Sequence, residues 1–168
     1  MKKLFYLLAI ISIVNISCTK EEAAETVNNT APLVVSASMT AKVNDTLWTS
    51  ITRVTNHYDT TGVFLITGTS TEGQVIAITI KGDEAGEYTS STSIDSLSAQ
   101  VGCVWQPDAS SPTEDYFLST SGKVVISSVD TTEKRISGTF EFELINTNLS
   151  ATKSITEGKF SNLKYSER

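Results

Sequence analysis

The sequence predicts an all-β fold, an antiparallel β-sandwich or flattened barrel of about 8–10 short strands. Three observations carry that prediction. From Ile136 to Leu144 every second residue (Ile136, Gly138, Phe140, Phe142, Leu144) is apolar or glycine, with Ser137, Thr139, Glu141 and Glu143 between them. Successive side chains of a strand point to opposite faces, so this two-residue period describes a strand with one dry face and one wet one. A helix would spread the same residues around its circumference and bury at least one carboxylate. Second, turn-forming residues recur at short intervals: Asn44-Asp45, Gly82 to Gly86 and Asp130 to Glu133 each divide two runs rich in β-branched or aromatic residues. Third, no span of the domain sustains a helical period; Ser90 to Gln100, with Ile94 and Leu97 three apart, comes nearest and reads mostly as loop. A sandwich or a barrel also hides the sheet edges that would otherwise recruit other chains.

The chain opens with Met1-Lys2-Lys3 and an apolar run from Leu4 to Ile16, the order of a bacterial export signal. That run is shorter than the roughly 20 apolar residues a spanning helix needs. Ile16-Ser17-Cys18 resembles the bacterial lipoprotein signal box, although Asn15 stands where that pattern has an aliphatic residue. The resemblance implies a signal peptide over residues 1–17 and lipid on Cys18. More than one acyl chain, at about 0.8 kcal/mol per buried CH₂, would hold a domain durably on a membrane. Residues 18–32 contain too little apolar surface to offset their ordering entropy and read as a flexible acidic tether. Residues 33–168 are enough for one core and are expected to form a single all-β domain.

Charge narrows the partners. The chain carries 13 Lys and Arg against 19 Asp and Glu, a net charge of −6. Without residues 1–17, which hold Lys2 and Lys3 and no acid, 11 bases face 19 acids and the net charge is −8. Such a surface repels nucleic acid, whose phosphates need a basic footprint, and is not drawn to anionic lipid by charge. The only cysteines are Cys18 and Cys103. With Cys18 lipidated, Cys103 has no partner, so stability must come from packing rather than a disulfide. Val101 and Trp105 share a strand face with Cys103, which therefore reads as a small buried hydrophobe.

The remaining elements follow in order. Leu33 to Val43 and Leu47-Trp48 form a hairpin about Asn44-Asp45 with Trp48 toward the core, and Ile51 and Val54 continue the second arm less regularly. Asn56 to Gly62 reads as a loop, Val63 to Thr67 as a compact strand, and Val75 to Ile80 as a mostly buried strand with Ile76, Ile78 and Ile80 on one face. Glu87 to Thr89 is a short strand. Val101 to Trp105 is another, closed by Pro107, which cannot donate to a ladder. Tyr116 to Leu118 and Lys123 to Val129 read as two strands, the second opened by Gly122. The four residues Asp130 to Glu133 can close only an antiparallel hairpin. Asn146 to Thr152 is loop, and Lys153 to Phe160 is a last strand in which Gly158 marks a bulge.

Asn44-Asp45-Thr46-Leu47-Trp48, Gly86-Glu87-Tyr88, Gly122-Lys123-Val124, Ile136 to Phe142 (I-S-G-T-F-E-F) and Ile155 to Phe160 (I-T-E-G-K-F) together resemble a family of uncharacterised Bacteroidetes lipoproteins. Its patterns are N-G-x-x-W, G-x-Y, I-S-G-T-F-x-F and I-T-x-G-x-F; Asp45 stands where the first has glycine. Lys20-Glu21-Glu22 likewise resembles the acidic signal beside the lipidated cysteine of such proteins. The resemblance implies an exported all-β domain and brings no catalytic residues. Gly138, bare on an inward face, is expected to receive Trp48, Trp105 or a neighbouring backbone.

Motifs for chemistry are sparse. His57 is the only histidine and reads as a solvated loop residue. There is no H-E-x-x-H, C-x-x-C, Walker or dinucleotide pattern, and Gly68 to Gly73 lacks the strand-to-helix context that cradles phosphate. Asp108, Glu114 and Asp115, and Asp83, Glu84 and Glu87, lack the regular spacing of a calcium loop and read as solvated faces. No metal and no cofactor is expected. Tyr58, Tyr88, Trp105 and Tyr116 lie near predicted strand ends, where stacking on a sugar or peptide is possible chemistry. Thr46, Thr60, Ser96 and Thr131 each follow an aspartate in the manner of Bacteroidetes O-glycosylation sites.

The expectation is a non-enzymatic lipoprotein of the cell envelope, held on the outer membrane by its lipid, that binds or scaffolds a glycan, a peptide or an envelope protein. Two alternatives are a lipocalin-like carrier of a small apolar ligand and a small glycan hydrolase, which would need two carboxylates at a hydrolytic separation.

Overall fold

The computed structural model describes residues 36–90, 100–110, 116–146, 148 and 150–168. The expectations for residues 1–32, Cys18 included, and for Ile94, Ser96, Leu97, Glu114 and Asp115 lie outside them. The strands are β1 (Ser38–Val43), β2 (Thr46–Thr49), β3 (Thr52–Tyr58), β4 (Val63–Thr69), β5 (Val75–Lys81), β6 (Gly86–Ser90), β7 (Val101–Gln106), β8 (Phe117–Asp130), β9 (Arg135–Asn146), β10 (Thr152–Lys164) and β11 (Ser166–Glu167). No described residue is helical.

All 11 strands belong to one sheet, ordered β11-β3-β4-β5-β7-β8-β9-β10-β1-β2, with β6 beside β8. Pairing is antiparallel except where β11 runs parallel to β3. The sheet curls so that its two ends approach. At one place Ser50 N–H donates to the Met39 carbonyl (3.0 Å) on β1 while Ile51 N–H donates to the Thr69 carbonyl (2.8 Å) on β4. At another, β11 continues from β10 and Arg168 N–H reaches the His57 carbonyl (2.9 Å) on β3. The result is the expected flattened barrel, whose inward side chains form one apolar cluster.

β9 behaves as its two-residue period requires. From Ile136 to Leu144 the alternate residues Ile136, Gly138, Phe140, Phe142 and Leu144 are buried, and Thr139, Glu141 and Glu143 are exposed. Ile76, Ile78 and Ile80 are fully buried on β5. The Asn44-Asp45 turn forms with both φ angles positive, 47° and 61°, the combination that matches the twist of a two-residue hairpin and that Asn and Asp tolerate best after glycine. It seats Trp48 in the core at 2 % exposure.

Three expectations are corrected. Ile51 and Val54 do not continue the arm of β2: the chain changes neighbours at Ser50, so both are exposed and Thr55 is the buried residue of β3. Asn56, His57 and Tyr58 are strand rather than loop, because β4 pairs with them along its length and β11 lies on their other side. Tyr116 to Leu118 and Lys123 to Val129 are not separate strands; Phe117–Asp130 is one strand whose register slips between Ser119 and Ser121 and between Ile126 and Ser128. Those bulges bend a long strand around the core without ending it.

Gly122 does not break β8 because a ring takes its place. Inward glycines and inward phenylalanines face each other across β8, β9 and β10: Gly122 opposite Phe142, Gly138 opposite Phe160, and Gly158 opposite Phe140. A Cβ on Gly122 would lie 2.6 Å from Cε1 of Phe142, one on Gly138 2.5 Å from Cζ of Phe160, and one on Gly158 2.5 Å from Cδ2 of Phe140. Each glycine is thus the floor on which a neighbouring ring lies, a known means of filling a strand glycine. The bulge at Gly158 forms as expected, with Glu157 at φ 50° and a register slip between Ile155 and Gly158 that aligns Gly158 with Phe140. Gly138 meets the Val125 backbone, as one expectation had it, but neither tryptophan. Trp48 lies with Met39 over Gly68 instead, each 2.8 Å from where a Cβ would be.

Candidate functional site

The strand ends gather polar and aromatic groups into two places. At the first, Trp105 follows Val101 and Cys103 on the inward face of β7, and Phe117 pairs with it from the start of β8. Trp48 comes from β2, next to the Asn44-Asp45 turn. Lys153 comes from β10, where it shares a face with Ile155 and so points inward, an unusual direction for a lysine. The connection before it is fixed by Asn146, whose Oδ1 accepts from the N–H groups of Ser150 (2.8 Å) and Ala151 (3.0 Å).

Trp48, Trp105 and Lys153 line a groove of about 330 Å³ together with Asn44, Leu47 and Gln74. The Lys153 ammonium sits 4.6 Å from the centroid of the Trp105 ring and 5.2 Å from that of Phe117, within the range where a ring face attracts a cation. Ion pairs link Lys42 to Glu157, Lys123 to Glu141 and Lys134 to Glu167, but Lys153 has no carboxylate partner among the described residues. The two indoles also differ. Trp48 Nε1–H donates to the Gln74 carbonyl (3.4 Å), whereas the buried Nε1–H of Trp105 has no acceptor among the described residues. Trp105 is 5 % exposed, and Leu47 beside it is 72 % exposed.

The second place is closed. His57, expected in a solvated loop, is stacked on Phe64 with centroids 4.4 Å apart and meets the edge of Tyr165 at 5.6 Å. Both its nitrogens are buried without a hydrogen-bond partner among the described residues, and its ring packs as an aromatic wedge. Tyr165 N–H donates to the Lys134 carbonyl (2.8 Å), and burial raises the Tyr165 hydroxyl above the usual tyrosine range. Tyr58 ends β3 here. Tyr88 lies over Gly82 and donates its hydroxyl to the Glu84 carbonyl (2.9 Å). Of the four candidate aromatics, Trp105 is the one that lines the groove, and Tyr58, Tyr88 and Tyr116 do not.

On the outer face of β8, β9 and β10, grooves of about 310 and 360 Å³ share Lys123 and Glu141, which satisfy each other at 3.3 Å. Asp108 accepts from the hydroxyl (2.6 Å) and N–H (2.8 Å) of Ser110, and these bonds hold its carboxyl below the usual range. Among the described residues no three of His, Cys, Asp and Glu could hold a metal ion. Cys103 is buried, and that burial pushes its thiol well up. Thr46, Thr60 and Thr131 are exposed at or beside turns. Sequence reading missed Trp48, Gln74 and Lys153 as site residues; the phase of Lys153 with Ile155 was the signal available.

A sequence profile of the family described as a domain of unknown function, DUF6252, matches residues 35–164. The chain belongs to that family. No curated protein and no solved structure matches it.

Proposed function

We propose that this member of the DUF6252 family is an exported, lipid-anchored domain of the bacterial cell envelope that works by binding rather than by chemistry. The observation that carries the binding reading is the groove beside Trp105, where an inward ammonium without a carboxylate and a buried N–H without an acceptor, among the described residues, come together. Packing supports it from the other side. Phe140, Phe142 and Phe160 fill the interior against glycines and one another, so a ligand would meet the rim rather than displace the core. A carrier role would use that same rim groove.

The export reading rests on Lys2-Lys3, the apolar run and Ile16-Ser17-Cys18. It is strengthened by the five short motifs that resemble Bacteroidetes lipoproteins. On this reading Cys18 carries the lipid, residues 18–32 span from the outer membrane to the domain, and the net charge of −8 keeps the domain soluble and clear of nucleic acid. Metabolic labelling with a fatty-acid analogue, followed by fractionation, tests it. Wild type is expected to be labelled and membrane-bound and Cys18→Ala to be neither; an unlabelled, soluble wild type would end the proposal. Glycans on Thr46, Thr60, Ser96 or Thr131 would add to the intact mass of the exported protein, and a mass equal to the lipidated polypeptide alone excludes them.

A further inference from the structure

We infer that the groove beside Trp105 is a site for a small monocarboxylate with an apolar body, its carboxylate held by the Lys153 ammonium and the Trp105 indole N–H. The inference rests on the binding reading above and names the ligand class for it.

Lys153 carries the first part of the argument. Its place on the inner face of β10 directs a charge into the curled sheet, where two ring faces at 4.6 and 5.2 Å hold it and no described carboxylate answers it. Attraction to ring faces secures an ammonium without neutralising it, so the groove keeps a full positive charge inside a chain of net charge −6. Among the described residues no acidic side chain lines the groove. The second part is Trp105, which is more than nine-tenths buried yet leaves its N–H without an acceptor. Buried donors in native proteins are almost always paired, and an exception next to an unpaired cation marks where an acceptor is missing.

The stoichiometry selects the ligand. One cation and one neutral donor match the single charge and two oxygens of a carboxylate; a phosphate dianion would leave charge uncompensated. Val43, Leu47 and Trp48 supply apolar walls for the rest of the molecule. A volume of about 330 Å³ lies at the lower limit of small-molecule sites, so that body is no larger than a phenyl ring or a short alkyl chain.

The chain's two tryptophans both line this groove, so tryptophan emission, excited selectively over the tyrosines, reports on it. Purified full-length protein titrated with phenylacetate or hexanoate is expected to show a saturable change in emission. Phenylacetamide, the same body without the charge, should bind at least about tenfold more weakly. Lys153→Met keeps the apolar stem and removes the charge; it should weaken phenylacetate by a similar factor of about ten while the thermal midpoint falls by no more than about 4 °C. Acid and amide binding alike, or Lys153→Met binding as wild type does, would overturn the carboxylate assignment and leave the groove as a binding site. No saturable change with any of the three probes, in protein shown folded by circular dichroism, would overturn the site and with it the binding reading. Fractionation of Cys18→Ala decides the lipid anchor independently of all these results.

Discussion

The wall made by β8, β9 and β10 and the groove beside Trp105 draw on similar residues and end in opposite states. In the wall every inward glycine has a ring across from it, and two ion pairs lie on its outer face, Lys123 with Glu141 and Glu157 with Lys42 of β1. In the groove an aromatic ring is again the centrepiece, but the charge lies on its face and its N–H is spare. The comparison separates two reasons for a residue to be where it is. Gly122, Gly138, Phe140, Phe142, Gly158 and Phe160, which supply the most recognisable motifs of the chain, are accounted for by packing. Trp105 and Lys153 belong to no motif; packing against Phe117 in the core accounts for the Trp105 ring but not for its unpaired N–H, nor for the inward charge of Lys153.

The comparison can be broken most forcefully in the wall. Phe142→Ala and Phe160→Ala each remove a fully packed ring and should cost about 3–5 kcal/mol in urea denaturation; a loss under 1 kcal/mol would mean that the rings do not hold the wall. Gly122→Ala forces a methyl against Phe142 and should cost about 1–3 kcal/mol. If the ring is the cause, combining it with Phe142→Leu should cost less than the two single losses together, by about 0.5–3 kcal/mol. A strictly additive pair would assign the glycine some other role.

Smaller effects sharpen the other side. Lys153→Met should lower stability by no more than about 1 kcal/mol, the scale of one cation–ring contact, while removing most carboxylate binding; a large stability loss would return Lys153 to the packing class. Cys103 sits on β7 between the two regions, buried, with its thiol pushed up. In a Cys18→Ala background, where it is the sole thiol, it should resist maleimide in native buffer and react fully in denaturant. Labelling of the native protein would show that the Trp105 end opens. Lys42→Gln breaks an exposed ion pair and should leave the urea midpoint in place.

Much of this was legible beforehand where the signal is local. The alternation from Ile136 to Leu144, the isoleucines of β5, the Asn44-Asp45 turn and the hairpin at Asp130 to Glu133 depend on neighbours within a few residues, and each was read from the chain. His57 was misplaced because Asn, His, Tyr and Asp together look like a turn, whereas pairing with β4 and the return of the C-terminus as β11 hold the segment extended. β8 was divided because Gly122 and the serines beside it read as breakers until Phe142 is seen to cover the glycine. In the candidate site only Trp105 was anticipated. The sequence places Trp48 in the core, and it starts a strand at Lys153 without marking which face that residue takes.

What the amino-acid order determined here is the set of strands and the face each presents, because side-chain direction along a strand has a period of two and needs no partner to express it. Only the tertiary structure decided which glycine lies under which ring, and that Lys153 and Trp105 meet. Those relations depend on register between strands distant in sequence, and each bulge shifts that register by a residue. A slip of one position would carry Phe140 off Gly158 and point Lys153 at water, with the sequence unchanged.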